Sequence, residues 1–381
     1  MKLEIASAPA LAGSTDIPRL ERGGAELIDR YCEEWLALCG RSACDEPFYR
    51  PEWIRAYLRA FAANAVLVLF TMRRAGRLVA LLPLIKETDS LAGMPARKLR
   101  SAGNTHTCRF DMVHEPETAA AVIPHLWAAL VAEPGWDVLE LNDTQEGGVL
   151  TQLAGYARGC GHAVQFAPGL APPYLDLTAF SGYDALLQRL DAKFRANLRR
   201  RARKLDARAA VLCRGRAAEP MVGRFFELER SGWKGEKGSA ITCATPTRMF
   251  YGEIARAAEA GGYLSMYALE VSGRPAAMFF GLEYRGRYYL IKTAYDEALR
   301  DVSPGQLLTQ QVLRECFERG GIEFDFLGGD MDWKQDWAPQ TRRLTDIFIF
   351  RGAAGRALHA LRFRLRPAVA SAVRWLRPRA A

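Results

Sequence analysis

The sequence predicts a mixed α/β (α+β) protein with two similar domains in tandem, each a mixed, mainly antiparallel sheet flanked by helices. Three observations lead to this prediction. The chain has 381 residues, which suits two domains better than one. Strand patterns joined by short glycine turns occur in both halves of the sequence. In each half a helical pattern and an acidic strand then follow in the same order.

The first half carries the shorter version of this pattern. Its segment VLVLFTMRRAGRLVALLPLIKE (66–87) reads as two strands around the turn Ala75-Gly76-Arg77. Glycine supplies the positive φ that such tight turns require. A helical segment, AAAVIPHLWAALVAEPG (119–135), then precedes the strand WDVLELND (136–143). The first half therefore predicts a hairpin, a helix and a further strand.

The second half repeats the order with one more strand. Its segment YLSMYALEVSGRPAAMFFGLEYRGRYYLIKTAY (263–295) reads as three strands with two Ser/Arg-Gly-Arg turns. The helical pattern GQLLTQQVLRECFERGG (305–321) and the strand IEFDFLGGD (322–330) follow. The shared order indicates an internal duplication, although strand–turn–strand–helix–strand is also a common arrangement in unrelated proteins.

A stretch rich in proline and glycine, APGLAPPYLDLTAF (167–180), separates the two halves and predicts a linker around residues 167–177. We therefore expect an N-terminal domain over 1–170 and a C-terminal domain over 171–350. Leu344–Phe350 reads as the last strand of the second domain. Residues 351–381 form a basic C-terminal tail with eight arginines and no acidic residue.

The net charge of +9 is concentrated in two places, this tail and the run from 189 to 216, which holds eleven Lys and Arg against two Asp. Such runs favour anionic partners. Within the first run, Leu190, Phe194, Leu198 and Leu205 make one apolar stripe, which predicts a basic helix. No aromatic interleaving or DNA-reading motif accompanies it, so nucleic acid is the weaker candidate partner. The tail resembles either a segment for an anionic membrane surface or a docked terminal helix.

Other patterns predict a cytoplasmic protein without a bound metal. No run of about 18 uncharged apolar residues predicts a transmembrane helix. The N-terminus lacks the apolar core of a signal peptide. The eight cysteines are scattered, without CxxC pairs or zinc-ligand spacing, which favours buried reduced thiols.

The sequence Ser303-Pro304-Gly305 predicts the start of a helix directly after a strand and a polar loop. Ser303 suits the N-cap, Pro304 suits the first helical position, and Gly305 lets a ligand approach the backbone. Free N–H groups and the helix dipole favour anions at such a helix end. The same cap also begins many helices that bind nothing.

Five blocks of the second half, in this order, resemble the GNAT acyltransferase superfamily in its CelD-like (cellulose biosynthesis) branch. The resemblance covers residues 175–350 well and the first half loosely, and the Fem-type aminoacyl transferases are similar more distantly. The blocks are KFRANLRRRARKL (193–205), ERSGWKG (229–235), SGRPAAMFFGLEYRGRYYLIKTAYDE (272–297), SPGQLL (303–308) and DFLGGDMDWKQDW (325–337).

The resemblance implies that acetyl-CoA or another acyl-CoA is the donor. Its pantetheine arm would lie between two strands that splay apart, 288–295 and 322–327. Its diphosphate would meet the start of the next helix, at Ser303, Pro304, Gly305, Gln306, Leu307 and Leu308. The sequence departs from the family at one place: the usual Gln/Arg-x-x-Gly-x-Gly/Ala loop of the superfamily is absent here.

The chemistry then requires a base that removes a proton from the acceptor, and N–H groups that stabilise the oxyanion. Glu229 and Asp325 are the candidate bases; the alternative for Glu229 is a solvated carboxylate at a helix end, and for Asp325 a structural ion pair with Lys or Arg. Tyr295 is a candidate acid for the leaving thiolate, or a packing residue. The candidate substrate-binding residues are Trp233, Lys234, Lys334, Arg109 and Asp111. Cys108 with His106 is a much weaker candidate for a thiol nucleophile.

The expected function is N- or O-acylation of a small-molecule or glycan acceptor, with polysaccharide or cell-envelope metabolism suggested by the resemblance. The first domain is expected to serve the acceptor side. One alternative is a Fem-type enzyme that uses aminoacyl-tRNA, although no long coiled-coil arm is evident in the sequence. Another is a non-catalytic scaffold that binds an anionic glycan or membrane, and a third is a nucleic-acid regulator. The acceptor, the acyl chain length and the oligomeric state do not follow from the sequence.

Overall fold

The computed structural model of the protein describes residues 16–42, 44–206 and 211–365. The strands within these ranges are β1 (Asp16–Gly23), β2 (Val66–Arg74), β3 (Arg77–Leu91), β4 (Met94–Ser101), β5 (Val113–His114), β6 (Val138–Gln145), β7 (Ala163–Pro168), β8 (Pro173–Asp176), β9 (Val211–Gly215), β10 (Met266–Val271), β11 (Arg274–Tyr284), β12 (Arg287–Tyr295), β13 (Glu323–Asp325), β14 (Gln340–Thr341) and β15 (Leu344–Phe350). The helices are α1 (Ala25–Arg41), α2 (Pro51–Phe61), α3 (Ala119–Ala132), α4 (Val149–Gly159), α5 (Tyr183–Arg189), α6 (Ala192–Asp206), α7 (Met221–Ser231), α8 (Trp233–Glu236), α9 (Thr245–Ala260), α10 (Pro304–Glu318), α11 (Asp332–Gln335) and α12 (Gly352–His359).

Two mixed sheets with the same plan account for these strands. The first has the order β1-β2-β3-β4-β6-β15-β7, with β5 beside β3, and the second has the order β9-β10-β11-β12-β13-β8-β14. In each, four antiparallel strands lead to one parallel pair, β4–β6 or β12–β13. Two further antiparallel strands complete each sheet. The predicted mixed α/β fold with two similar tandem units is confirmed.

The strand at the end of the described chain corrects the expected domain boundary. We expected Leu344–Phe350 to close the second sheet, but β15 pairs with β6 and β7 in the first sheet. In the equivalent place of the second sheet lies β8, which falls within residues 167–177, where the sequence predicted a linker. The ranges 1–170 and 171–350 therefore do not separate the two sheets cleanly. The hydrophobicity of a strand predicts that it pairs, but not which sheet accepts it.

A continuous apolar core joins the two halves. Helix α2 of the first half packs on α9 of the second, with Trp53 and Phe250 in an edge-to-face contact at 5.3 Å between ring centroids. Phe48 of the first half makes a similar contact with Tyr289 of β12, at 5.6 Å. Such aromatic contacts stabilise an interface beyond the area they bury. The two sheets are therefore held against each other by shared core residues.

The basic run forms helix α6, as predicted. Phe194, Leu198 and Leu205 are buried against the second sheet, and the arginines lie on the other faces. The described part of the C-terminal tail docks on β15, where Phe363 packs on Phe348 at 5.4 Å. The rest of the tail lies outside the described residues, so its predicted membrane contact stays a prediction. Among the described helices, none is both long and apolar enough to span a bilayer.

Candidate functional site

The parallel strands β12 and β13 separate after three paired residues and open a cleft. Their pairing ends at Tyr289 and Asp325. Beyond that point β12 runs on to Tyr295, whereas the chain after β13 turns away at Leu327, which has a φ of 50°. A cavity of about 470 Å³ lies between the diverging segments 290–295 and 326–329. We call this the second-sheet cleft; it lies where the sequence placed two splayed strands.

A bulge in β12 lies at the same place. The pairing with β11 shifts by one residue after Phe280, which leaves Ile291 without a partner across the ladder. Gly281 is needed beside this bulge, because a Cβ atom there would lie 2.0 Å from the Tyr288 hydroxyl. Bulges of this kind redirect side chains. Lys292, which follows the bulged residue Ile291, lines the second-sheet cleft.

Three lysines and one glutamate supply the charged lining of the second-sheet cleft: Lys234, Lys292, Lys334 and Glu229. Glu229, nearly fully buried, accepts hydrogen bonds from Lys234 Nζ at 2.9 Å and from the Ile241 N–H at 2.8 Å. Lys234 Nζ also donates to the Thr293 carbonyl at 2.7 Å. The cleft therefore has an excess of positive charge, which suits an anionic ligand.

Lys334, a predicted substrate-binding residue, is buried. Its Nζ donates to the carbonyl of Leu327 at 2.5 Å and to that of Gly329 at 3.0 Å. Burial lowers the pKa of Lys334 to about 8. The lysine therefore fixes the loop that follows β13, where Gly328 and Gly329 form one wall of the second-sheet cleft.

Sequence reasoning missed Lys292, which has no acidic partner among the described residues. Its Nζ lies 5.5 Å from the centroid of the Tyr251 ring. Burial and the nearby Lys234 charge lower the pKa of Lys292. The signal was a lone lysine within the apolar strand YYLIKTAY (288–295). A lysine held this way in a cleft is a candidate for stabilising negative charge or for moving a proton.

A second cavity, of about 270 Å³, adjoins the second-sheet cleft and reaches the start of α10. Ser303, Pro304, Gly305 and Gln306 line it, together with Arg300. Thr293, Ala294, Tyr295 and Trp333 line both cavities. We call it the helix-end cavity. It provides a continuous path from the splayed strands to a helix N-terminus.

The start of α10 differs in detail from the prediction. Ser303 is the N-cap, with a φ of 46°, but its side chain makes no capping hydrogen bond. The N–H groups of Gln306 and Leu307 both donate to the Ser303 carbonyl. This leaves the Gly305 N–H as the free donor of the first turn among the described hydrogen bonds. A Cβ atom on Gly305 would have no heavy atom within 4 Å, so this backbone faces open space.

Leu307 and Leu308 do not fit the role that the resemblance gave them. Both side chains are buried in the core of the second sheet and do not line the helix-end cavity. The predicted anion site is therefore reduced to the first turn of α10. Tyr295 and Trp233 do reach the second-sheet cleft, where their side chains are 36% and 42% exposed.

Asp325 is placed where it cannot touch a substrate, which argues against its role as the base. It is fully buried and forms an ion pair with Arg109, which is also fully buried. Arg109 Nη1 also donates to both carboxylate oxygens of Glu46, at 2.9 and 3.0 Å. Neither Asp325 nor Arg109 lines the second-sheet cleft. Both are taken up by an internal network that ties the first half to β13.

Asp111 likewise has a structural position instead of the expected substrate contact. Its carboxylate accepts hydrogen bonds from the Met112 and Leu150 N–H groups, the latter at the start of α4. Gly148 makes room for it, since a Cβ atom there would lie 2.0 Å from Asp111 Oδ2. Burial raises the pKa of Asp111 to about 7. Asp111 therefore caps a helix.

Cys108 and His106 do not form a nucleophile pair. The Cys108 Sγ is directed to the His106 carbonyl at 3.9 Å, and burial raises the thiol pKa to about 12. A thiol with such a pKa is a poor nucleophile near neutrality. His106 Nδ1 instead lies 3.1 Å from the Tyr251 hydroxyl. Within the described residues, no group of three or more His, Cys, Asp and Glu is arranged to hold a metal ion.

The comparison with protein families bears directly on this cleft. Residues 192–335 match the family model described as an acetyltransferase (GNAT) domain. The matched GNAT segment holds every residue of the second-sheet cleft and the helix-end cavity. It covers less than half of the chain, and it does not single out the CelD-like branch. Among curated proteins, no sequence matches the chain.

Solved structures extend the fold match over almost the whole chain. The structure of FemX is 11% identical, with a TM-score of 0.57 over 90% of this chain and 99% of FemX. The C-terminal domain of a putative lysylphosphatidylglycerol synthetase from Agrobacterium fabrum is 12% identical, with a TM-score of 0.50 over 87% of this chain and 95% of that one. A protein of unknown function from Bacteroides thetaiotaomicron is 10% identical, with a TM-score of 0.51 over 88% of this chain and 100% of that one. At these identities the likeness establishes the fold around the GNAT segment.

Proposed function

We propose that this protein is an acyltransferase that moves an acetyl or longer acyl group from acyl-CoA to an amine or hydroxyl acceptor. The observation that carries the proposal is the path from the diverging strands β12 and β13 to the N-terminus of α10. This path lies within the segment that matches the GNAT acetyltransferase domain. Its lysines and its helix end suit a ligand with phosphate groups.

The residues present fit acyl-CoA as the donor. Gly305 faces open space at the start of α10, and Arg300 lines the same cavity, so both are placed to hold a diphosphate. The mostly apolar wall formed by residues 290–295 suits the pantetheine arm. Acyl-CoA supplies an activated thioester, so the protein must chiefly hold the acceptor against it and exclude water.

Glu229 and Lys292 are the residues proposed to act beside the reacting atoms. Glu229 lines the second-sheet cleft and is proposed to take a proton from the acceptor, with Lys234 holding its carboxylate in place. Lys292 lies at the bulge in β12 and is proposed to stabilise negative charge on the acyl oxygen. Tyr295 lines both cavities and is proposed to protonate the leaving thiolate.

The transfer balances as follows for an amine acceptor. The acceptor nitrogen forms a bond to the acyl carbon, and the carbon–sulfur bond breaks. An ammonium group loses two protons in forming an amide: one ends on the thiol and the other is released to solvent. A hydroxyl acceptor loses one proton, which ends on the thiol.

Aminoacyl-tRNA is a second candidate donor, favoured by the position of α6. The exposed Arg199, Arg200 and Arg203 lie on this helix, and α6 packs against residues 297–302, just before α10. Lys204 lies 4.0 Å from Asp301 in that segment. A polyanion bound along α6 would therefore lead to the helix-end cavity.

We extend the proposal to the CelD-like branch, on the five blocks in the second half, and to an acceptor from polysaccharide or cell-envelope metabolism. We place the reaction in the cytoplasm, with the basic tail in peripheral contact with the inner, anionic membrane surface. Flotation of the full chain with vesicles of anionic and of zwitterionic lipid tests the tail. Binding to anionic vesicles that salt abolishes would support it.

Calorimetric titration of the full chain with acetyl-CoA, with longer acyl-CoAs and free CoA as comparisons, tests the proposed donor. Saturable binding with one site per chain is the expected result, and the preferred chain length would then guide the search for an acceptor. If no CoA compound binds but deacylated tRNA does, aminoacyl-tRNA replaces acyl-CoA as the proposed donor. If none of these ligands binds, the proposed function is wrong.

A further inference from the structure

The first sheet contains a cleft built like the second-sheet cleft. Its strands β4 and β6 also pair in parallel over three residues, ending with Arg100 and Glu140. Beyond this point the strands diverge, and Asp143 on β6 has a φ of 52°, as Leu327 has 50° after β13. A cavity of about 840 Å³ opens there. We call this cavity the first-sheet cleft.

The two clefts meet at one loop. Gly328 and Gly329 line the first-sheet cleft and also the second-sheet cleft. Lys334 Nζ fixes this loop by donating hydrogen bonds to the carbonyls of Leu327 and Gly329. A ligand in the first-sheet cleft would therefore lie directly beside a donor in the second-sheet cleft, with only two residues without side chains between them.

The charge of the first-sheet cleft is opposite to that of the second. Its lining contains five carboxylates and three cationic side chains, and two of the three cations are paired with carboxylates of the same lining. Arg100 pairs with Glu87 at 2.5 Å, and Lys98 pairs with both Asp89 and Glu140 at 2.9 and 3.0 Å. These pairs leave two carboxylates and Arg362, whose guanidinium lies 5.1 Å from the Phe348 ring centroid.

The two remaining carboxylates are those of Asp143 and Asp346. Neither forms an ion pair among the described residues, and Asp346 Oδ1 accepts a hydrogen bond from the Asp143 N–H at 2.9 Å. Burial and the Asp346 charge raise the pKa of Asp143 to about 6, and burial also raises the pKa of Asp346. Two such groups facing one cavity are stabilised by a cation bound between them.

We propose that the first-sheet cleft binds the acceptor, and that this acceptor is an elongated polar molecule with a cationic amine. Asp143 and Asp346 would hold the amine, while a hydroxyl or second amine at the other end would pass Gly328–Gly329 to reach the acyl carbon. The inference deepens the proposed function and rests on it. It also assigns distinct chemistry to each half: an anionic donor in the second and a cationic acceptor in the first.

Calorimetry of the full chain with 1,5-diaminopentane, and with 1,5-pentanediol as the uncharged comparison, tests this site at pH 8. We expect saturable binding of the diamine and at least tenfold weaker binding of the diol. Asp143→Asn should weaken diamine binding at least tenfold, and asparagine tolerates the positive φ at this position. Asp184→Asn, at an exposed aspartate outside the first-sheet cleft, is the matched control and should leave the affinity unchanged.

Binding should also weaken as the pH falls from 8 to 5, because Asp143 then takes up a proton. The Asp346 charge opposes the ionisation of Asp143, whereas Glu140 and the cations Arg362, Lys98 and Arg100 line the same cleft. If diamine binding to Asp143→Asn does not depend on pH, the pH dependence of the wild type comes from the Asp143 carboxyl.

The proposal is overturned if the diamine does not bind, if it binds Asp143→Asn as well as the wild type, or if the diol binds equally. A parallel titration with acetyl-CoA separates this failure from that of the proposed function. Acetyl-CoA binding without diamine binding would remove the acceptor site alone. Diamine binding that depends on Asp143 without acetyl-CoA binding would keep the cation site and remove the proposed donor.

Discussion

The first-sheet and second-sheet clefts share a plan and differ in charge. Each opens where a parallel strand pair ends after three residues, and each has a positive-φ residue on the departing chain. The second-sheet cleft is lined by three lysines and one glutamate, whereas the first-sheet cleft has five carboxylates and three cations. Diverging strands leave backbone groups free to bind a ligand, and the side chains that line each cleft determine which charge of ligand is preferred. The same backbone arrangement therefore suits different ligands in the two halves.

The helices after the hairpins differ as well. The N-terminus of α10 opens into the helix-end cavity at Gly305. At the N-terminus of α3 the N-cap residue Thr118 is fully buried, and its hydroxyl donates to the Glu115 carbonyl at 2.7 Å. Of these two described helix ends, that of α10 is the one that lines a cavity beside its cleft. This difference supports the proposal that a phosphate-bearing ligand binds in the second half.

The largest expected effect concerns the joint between the two halves, the buried pair of Arg109 and Asp325. We expect Asp325→Asn to lower the free energy of unfolding by about 3–5 kcal/mol, because the Arg109 charge then stays buried with a weaker partner. Urea unfolding followed by circular dichroism measures this loss. Asp184→Asn, at an exposed position, should change it by less than about 0.5 kcal/mol.

A different outcome would restore the original assignment of Asp325. If Asp325→Asn unfolds at the same urea concentration as the wild type but loses turnover, Asp325 acts in the chemistry after all. The joint between the two halves would then depend on its other contacts, such as the packing of Trp53 on Phe250.

The next effect separates the catalytic carboxylate from structural ones. We expect Glu229→Gln to lower turnover about 100-fold, because an amide cannot take the acceptor proton. Its affinity for acetyl-CoA should stay within about twofold, measured by calorimetry. Glu297→Gln is the matched control: Glu297 Oε1 accepts a hydrogen bond from the Trp233 N–H at the rim of the same cleft. Equal turnover losses in both variants would show a structural effect at this rim instead of a base.

Much of the fold follows from the sequence because hairpin turns and strand periodicity are local signals. Gly76, Gly273 and Gly286 all have the positive φ that the turn pattern predicted. The destination of β15 was missed, since its apolar residues suit either sheet edge. Local patterns therefore predict the helices and strands themselves. The sheet that β15 joins depends on how the two halves pack together, which a local pattern does not show.

The candidate site was predictable in part for the same reason. The start of α10 is a local cap signal, and Glu229 and Lys234 lie in one short block. Asp325, in the last block of the resemblance, and Arg109 were both predicted to be site residues. Their pairing, 216 positions apart, is a long-range contact that one sequence does not reveal. Lys292 was overlooked because a bulge, invisible in the pattern, turns it into the second-sheet cleft.

A smaller effect tests whether the helix end is used by the donor. We expect Gly305→Val to weaken acetyl-CoA binding about tenfold in calorimetry, because the side chain would fill the open space at the start of α10. No protein atom lies within 4 Å of the new Cβ, so stability should hardly change. Gly155→Val, also without neighbours within 4 Å and on helix α4, is the matched control. Unchanged affinity in Gly305→Val would remove the diphosphate site.

The smallest effect reports how far the positive charge of the second-sheet cleft reaches into the first half. Burial and then the Lys292 charge lower the pKa of His106 from 6.5 to about 4. Below pH 6.5 His106 is protonated in the unfolded chain but stays neutral in the folded chain. Its contribution to the free energy of unfolding is therefore fully present above this pH and is lost as the pH falls towards 4. His106 is partly exposed, so we expect a loss of only about 1 kcal/mol between pH 7 and pH 5.

Urea unfolding at both pH values, compared between the wild type and His106→Phe, isolates this contribution. Phenylalanine keeps the stacking on Phe61 and the contact with Phe250 but cannot be protonated. The wild type should lose about 1 kcal/mol more than the variant on acidification. In a nuclear magnetic resonance titration, Lys292→Met should raise the His106 pKa towards its ordinary value. An unchanged His106 pKa would mean that the Lys292 charge does not act on it.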